Sequence, residues 1–309
     1  MRFSNTLFVF VVLVVLLTLS GVAKAVLIMH EPFDYGGSDI EDITGLGGSQ
    51  TGFSPTEQWS NDESDADYVA AGLSFGSLLT TGGKFNYTSS GGRQTISRGI
   101  DINQTGQIWG SYLWRPITND SGGNVNTIMI HNSITGDDNG SEFLAAGLGW
   151  TAGDKGEVRL NGGNKGSAQA GSVSQTNGNT YLILYTITNL GGNAGTHSMT
   201  EWMLTVDQYE NFKAGGLTDA ELDAATLGSA STDVLQRSSI SGVGLGAAMT
   251  DADFLMIFQH DTTTAEYDEI RMSNTSLDEV TPAIPEPSTL TLAALGILAL
   301  LGFTRRRRK

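Results

Sequence analysis

His197-Ser198-Met199-Thr200-Glu201-Trp202-Met203-Leu204-Thr205-Val206-Asp207 is the stretch that decides the fold. Thr200, Trp202, Leu204 and Val206 fall on one face of an extended chain, and Glu201, Thr205 and Asp207 on the other. A period of two with one apolar face marks a half-buried strand, and one wet face suits an antiparallel sheet. Similar segments recur on both sides of it, bounded by Gly, Asn, Ser or Asp. They are Gln107 to Arg115, Asn126 to Asn132, Phe143 to Trp150, Thr180 to Asn189, Asp253 to His260 and Glu266 to Met272. No repeat of about 20 to 50 residues joins them, so a solenoid or propeller is not expected. Two helical signals interrupt the pattern. Thr218-Asp219-Ala220-Glu221 is a capping box, predicting a helix to about Leu227 ahead of Gly228, and Ser276 to Val280 predicts one turn before Pro282. Short strands with Gly-rich turns predict an all-β fold, a two-sheet antiparallel β-sandwich with one or two short helices.

Composition agrees. Gly makes up 40 of the 309 residues, about twice the usual ~7%, and charged residues fall below the usual ~25%. Cysteine is absent, which excludes disulfides, thiol catalysis and thiolate metal sites. Of the 17 basic residues, two precede Val26 and five close the chain. Residues 26–284 therefore keep ten, against 32 of the 33 acidic ones, a formal charge of −22. So acidic a body repels phosphate and excludes nucleic acid as its partner.

The ends read as processing segments. Residues 1–25 carry an early Arg2, an apolar run from Leu7 to Leu19, and Ala23-Lys24-Ala25. That order predicts a signal peptide for Sec-type export machinery, cut after Ala25, with Ala23 and Ala25 as the small residues the peptidase needs. The uncharged run from Phe3 to Ala23 is also long enough to span a ~30 Å bilayer core, but the small residues ahead of the β-like Val26 to Met29 favour cleavage. Residues 283–309 combine Pro285-Glu286-Pro287, an apolar stretch from Leu290 to Phe303, and Arg305, Arg306, Arg307, Arg308 and Lys309. A helix over that stretch reaches only ~21 Å, and the basic cluster stays on the cytoplasmic side.

This order of parts resembles the PEP-CTERM sorting signal. The resemblance implies that a membrane protease-transpeptidase, an exosortase, recognises Pro285, Glu286 and Pro287. It removes the tail and passes the protein to the cell surface or extracellular matrix after a transient inner-membrane attachment. The plainer alternative is a tail anchor with its basic residues inside. A second resemblance rests on Glu31-Pro32-Phe33-Asp34-Tyr35, on Asn179-Thr180-Tyr181-Leu182-Ile183-Leu184-Tyr185, and on Tyr267-Asp268-Glu269-Ile270-Arg271-Met272-Ser273 with Val280-Thr281-Pro282. These look like exported laminin G-like, concanavalin A-like jelly rolls. The resemblance implies one sandwich over residues 26–282, with residues 36–67 as a long acidic loop after the first strand, or else a disordered insert. It also implies that Asp34 and Asp268 lie side by side on the first and last strands, where related folds hold a structural calcium (Ca2+). An acid-rich chain offers the oxygen ligands that ion prefers. Asp137-Asp138-Asn139-Gly140 is a second calcium candidate, though it equally makes a plain hairpin turn.

Jelly rolls also include laminarinase-type glycoside hydrolases, which resemble one another in a strand that sets acids as Glu-x-Asp-x-x-Glu or Glu-x-Asp-x-Glu. Glu266-Tyr267-Asp268-Glu269 lacks the distal glutamate and falls in the closing strand, so catalysis is not expected. No Gly-x-Ser-x-Gly or His-Glu-x-x-His appears. His30, His131, His197 and His260 are scattered singly and read as sheet residues rather than zinc ligands. Trp59, Trp109, Trp114, Trp150, Trp202, Tyr87 and Tyr112 are the aromatic material for a glycan platform, but strand tryptophans are usually core, Trp202 above all. Trp109 and Tyr112, on opposite faces of one strand, are the ligand-binding candidates. Sequons at Asn86, Asn103, Asn119, Asn139 and Asn274 are incidental unless the host glycosylates them. The expected function is a non-catalytic, exported surface or matrix module that binds extracellular polysaccharide. The alternatives are a polysaccharide-active glycoside hydrolase or lyase and a purely structural matrix protein.

Overall fold

The computed structural model describes residues 27–54, 56–61, 66–89, 93–101, 104–118, 125–131, 142–148, 158–160, 164, 165, 167, 168, 175–190, 196–243, 254–260 and 263–283. Ala23, Ala25, Trp150, the turn at 137–140, the sequons at 103, 119 and 139, and the sorting signal from Pro285 to Lys309 lie outside the described residues. In chain order the strands are β1 (Leu27–Glu31), β2 (Ser60–Asn61), β3 (Ala66–Val69), β4 (Lys84–Thr88), β5 (Arg93–Gly99), β6 (Gly106–Thr118), β7 (Val125–His131) and β8 (Glu142–Leu148). Then come β9 (Arg159–Leu160), β10 (Asn164–Lys165), β11 (Ser167–Ala168), β12 (Tyr181–Leu190) and β13 (His197–Leu204), followed by the helices α1 (Val206–Gly215) and α2 (Asp219–Ala224). The chain closes with β14 (Gln236–Val243), β15 (Phe254–His260), β16 (Thr264–Ser273) and the single turn α3 (Leu277–Val280).

These strands form two antiparallel sheets, as expected. One runs β11-β14-β13-β12-β6-β16-β4-β3, and the other β10-β9-β8-β7-β15-β5-β2. β16 has β6 along one side. Its other side is shared by β4, which pairs residues 264–267, and β1, which pairs residues 270–273. The first and last strands are thus hydrogen-bonded neighbours. The inner faces enclose a core in which Phe33, Trp59 and Phe85 stack and Tyr112, Trp114, Tyr181 and Tyr267 pack beside them.

The nine-stranded sheet is buried on its outer face too. Leu113, Leu182, Leu184, Trp202 and Leu204 meet Leu73, Phe75 and Leu78, and also Tyr209, Phe212, Leu222, Leu277 and Val280 from the three helices. Burial on both sides is why β12 reads as the almost unbroken run Tyr181 to Ile187 and not as an alternation. It also corrects the reading of residues 197–207 as one strand. β13 stops at Leu204, and Thr205 caps α1. The Gln208 N–H donates to Thr205 Oγ1 at 3.4 Å, and Gln208 Oε1 accepts from the Thr205 N–H at 3.0 Å. Val206 and Asp207 are therefore helical. The Thr218–Glu221 capping box forms as expected, though its helix ends at Ala224, three residues short of Leu227.

The described part of residues 36–67 packs against the sandwich. Bridges join Ile40 to Tyr68, Gly47 to Gln58 and Phe53 to Ile100, while Ile43, Phe53 and Trp59 are buried. Arg98 on β5 clamps this stretch, donating to Gly48 O at 2.5 Å and Gln50 Oε1 at 2.7 Å, with its guanidinium 4.3 Å from the centre of the Phe53 ring.

Candidate functional site

The outward face of the seven-stranded sheet follows from its core face. Ile96, Ile128, Ile130, Ala146, Val158, Leu255 and Ile257 point inward, so strand alternation assigns the positions between them to the other side. The register sets these in cross-strand rows. Ser97, Met256, Met129, Ala145, Arg159 and Lys165 make one row, and Thr95, Phe258, Thr127 and Gly147 the next. Arg93, His260 and Val125 form the row at one end, and Phe254 and His131 the row at the other, with Glu142 opposite His131. The middle of the face is closed, since Ser97, Thr127, Met129, Met256 and Phe258 are each at most 3% exposed. Arg93, His131, Arg159, Lys165 and His260 hold positions that border this strip on three sides.

The cations whose side chains are described are engaged elsewhere. Lys84 and Arg115 pair with Glu266, Arg98 with Glu31, Arg271 with Glu269, and Lys213 with Asp278. Arg237 Nη1 donates to the carbonyls of Leu222 and Asp223. Lys155 lies outside the described residues.

The closing strand carries the buried acids. β16 bulges between Asp268 and Arg271, with Glu269 at φ 52°. Asp268 Oδ2 accepts from the Leu73 N–H and Oδ1 from the Glu269 N–H, both at 2.7 Å. Glu269 Oε2 meets His30 Nε2 at 2.8 Å and Arg271 Nη2 at 2.6 Å, and its Oε1 accepts from the N–H and hydroxyl of Thr81. Burial above all, and then the Glu269 charge, raise the Asp268 carboxyl well above the usual carboxylate range. Glu31, equally enclosed, accepts from the Phe33 N–H, the Tyr35 hydroxyl and Arg98 Nη1. Burial raises its carboxyl too, and Arg98 opposes the shift.

Asp34 and Asp268 do not fit a calcium site. Asp34 is exposed, while Asp268 is wholly buried and each of its oxygens already faces a backbone N–H. No group of three or more His, Asp or Glu able to hold a metal occurs among the described residues. Trp109 is half-buried on the outer layer, its Nε1 donating to Asp219 Oδ2 at 3.2 Å. Tyr112 lies between the sheets, 1% exposed, with its hydroxyl on Ala146 O. They do occupy opposite faces of β6, and neither borders the outward face of the seven-stranded sheet. Trp59, Trp114, Trp202 and Tyr87 are core.

The sequence reading missed that Arg93, His131, Arg159, Lys165 and His260 take outward positions on the border of one sheet. Alternation within 93–98 and 254–260 was available as a signal, but the register that aligns the strands was not.

Residues 283–309 match the PEP-CTERM protein-sorting motif. The protein is therefore exported, and its tail is the substrate of an exosortase. No helix among the described residues is long and apolar enough to cross a membrane, and residues 290–303 lie outside them. No curated protein matches the chain. Among solved structures, the endo-β-1,4-glucuronan lyase of the fungus Trichoderma reesei is similar at 11% identity and TM-score 0.41, covering 78% of this chain and 97% of that one. The carbohydrate recognition domain of Emp46p in its metal-free form is similar at 9% identity and TM-score 0.40, covering 77% and 96%. The VIP36 exoplasmic/lumenal domain in its Ca2+/Man3GlcNAc-bound form follows at 10% identity and TM-score 0.39, covering 76% and 90%. Likenesses this distant bear on neither ligand nor activity.

Proposed function

We propose that this is a non-catalytic matrix protein whose sandwich binds an acidic extracellular polysaccharide along the border of the seven-stranded sheet. The observation that supports it is the placement of Arg93, His131, Arg159, Lys165 and His260 around one face of a body whose net formal charge is −22. The net charge that excludes nucleic acid does not forbid this ligand. A duplex carries one charge per ~1.7 Å, a uronan only one per sugar, and within the ~8 Å Debye length of physiological salt the nearest charges govern. The non-catalytic reading is favoured by the closing-strand acids. Glu266, Asp268 and Glu269 are at most 8% exposed and engaged by internal partners, whereas a glycosidase presents a pair of carboxyl groups to the sugar.

Affinity electrophoresis through polyglucuronate, alginate or a neutral β-glucan tests this. The expected result is retention by the acidic gels, weakening with salt, and at least about tenfold weaker in Arg159→Glu/Lys165→Glu because rim charges now oppose the ligand. Retention by neutral glucan alone would remove the cationic border from the explanation. Release of shortened polymer would establish the hydrolase or lyase alternative, and no retention at all the purely structural one.

A further inference from the structure

The last described residues are held at several points. The Leu79 N–H donates to Pro282 O at 2.7 Å, and Leu78 faces Ala283 in an antiparallel bridge. Thr281 is fully buried. Its carbonyl accepts from Lys213 Nζ at 3.1 Å and the Tyr209 hydroxyl at 3.4 Å, and its own hydroxyl donates to Leu277 O at 3.0 Å. One residue earlier, the Val280 carbonyl accepts from Ser111 Oγ at 2.6 Å. The sorting motif begins at residue 283, so its first residue is itself bridged to the fold. Pro285 is two residues farther on, within about 7 Å of chain at ~3.3–3.6 Å per residue. A bound peptide that is read as an extended strand offers its backbone N–H and C=O groups to the protein that reads it. For a cut beside Pro285, residues 282 and 283 on its amino-terminal side are ones the sandwich already holds.

We infer that the sandwich blocks its own sorting peptide, and that the exosortase acts from a locally opened state in which residues 281–283 have left the 78–79 segment. Lys213, Tyr209 and Leu79 are the residues that hold the block. Its strength is set by local fraying, which is separable from global unfolding. The block acts before any bond is cut, so it is the same for hydrolysis and for transfer to an acceptor amine.

The chain has no cysteine, which permits a clean test. Residues facing each other in an antiparallel bridge have Cα atoms about 4.5–5.5 Å apart, inside the range a disulfide spans. The full-length Leu78→Cys/Ala283→Cys precursor is followed by pulse-chase in a host that processes the wild type, beside Leu78→Cys alone, which carries the same core truncation without the lock. The expected result is an oxidised double variant processed at least about tenfold more slowly than Leu78→Cys, recovering that rate on reduction. Lys213→Ala, which loosens the hold, is expected to process about two- to threefold faster with an unchanged melting temperature. These factors are the size of shift expected when one local contact biases an opening equilibrium. Equal rates for the oxidised and reduced double variant would overturn the inference. So would faster processing of the oxidised form.

Discussion

Arg98 joins parts of the chain that are far apart in sequence. Its Nη1 meets Glu31 on β1, its Nη2 meets Gly48 and Gln50, and its Nε donates to Glu57 O at 3.3 Å. Both charged partners are fully buried. The pair contributes less to net stability than its Coulomb attraction suggests, because each ion was stripped of water. Removing one member leaves the other charge uncompensated and costs ~3–5 kcal/mol. Arg98→Met is therefore expected to lower the unfolding free energy from urea titration by that much and to expose residues 44–58 to proteolysis. Adding Glu31→Gln is expected to recover part of the loss, since the two sites are coupled. Full additivity of the two changes would mean that the pair is not the clamp.

Among the elements, α1 depends most visibly on its cap. Thr205 and Gln208 satisfy each other's backbone N–H groups, and the Gln208 side chain also donates to Gly228 O at 2.9 Å and Ala230 O at 3.2 Å. Thr205→Ala is expected to cost ~1 kcal/mol, the usual price of an N-cap. Gln208→Ala should cost more because it also frees two loop carbonyls. Denaturation midpoints at constant slope check both. The same cap explains why the strand pattern ran too far. Val206 and Asp207 continue the period of two begun at Thr200, while the Thr205-x-x-Gln208 box that breaks it was left unread. The long strands β6, β7, β8, β12, β13, β15 and β16 were legible because each carries enough apolar residues to declare itself. β14 (QRSSISGV) and β5 (RQTISRG) were not, since polar residues dominate both. The bordering cations and histidines were individually visible. Their common face was not, because it depends on pairings such as His260 with Arg93 that no local pattern encodes.

At the scale of the whole molecule, the buried acids set how stability follows pH. The Asp268 carboxyl is raised in the folded state, so between its unfolded value near 3.8 and its folded one the native protein binds more protons than the unfolded chain. That contribution is fully present below the unfolded value and lost as pH rises through the folded one. The raised Glu31 carboxyl acts in the same direction. As pH rises from about 4, urea unfolding is expected to show the wild type losing stability relative to Asp268→Asn as the buried carboxyl ionises; a constant difference between the two would assign the effect elsewhere. The topology has a consequence in time as well. β16 comes last in sequence yet lies between β6 and the pair β1 and β4. A chain threaded amino end first cannot complete that sheet until its final strand has crossed. Long-range pairing of this kind is slow in any case. A chain exported that way would stay unfolded enough to thread for nearly the whole of its passage, closing only when little besides the sorting tail is left inside.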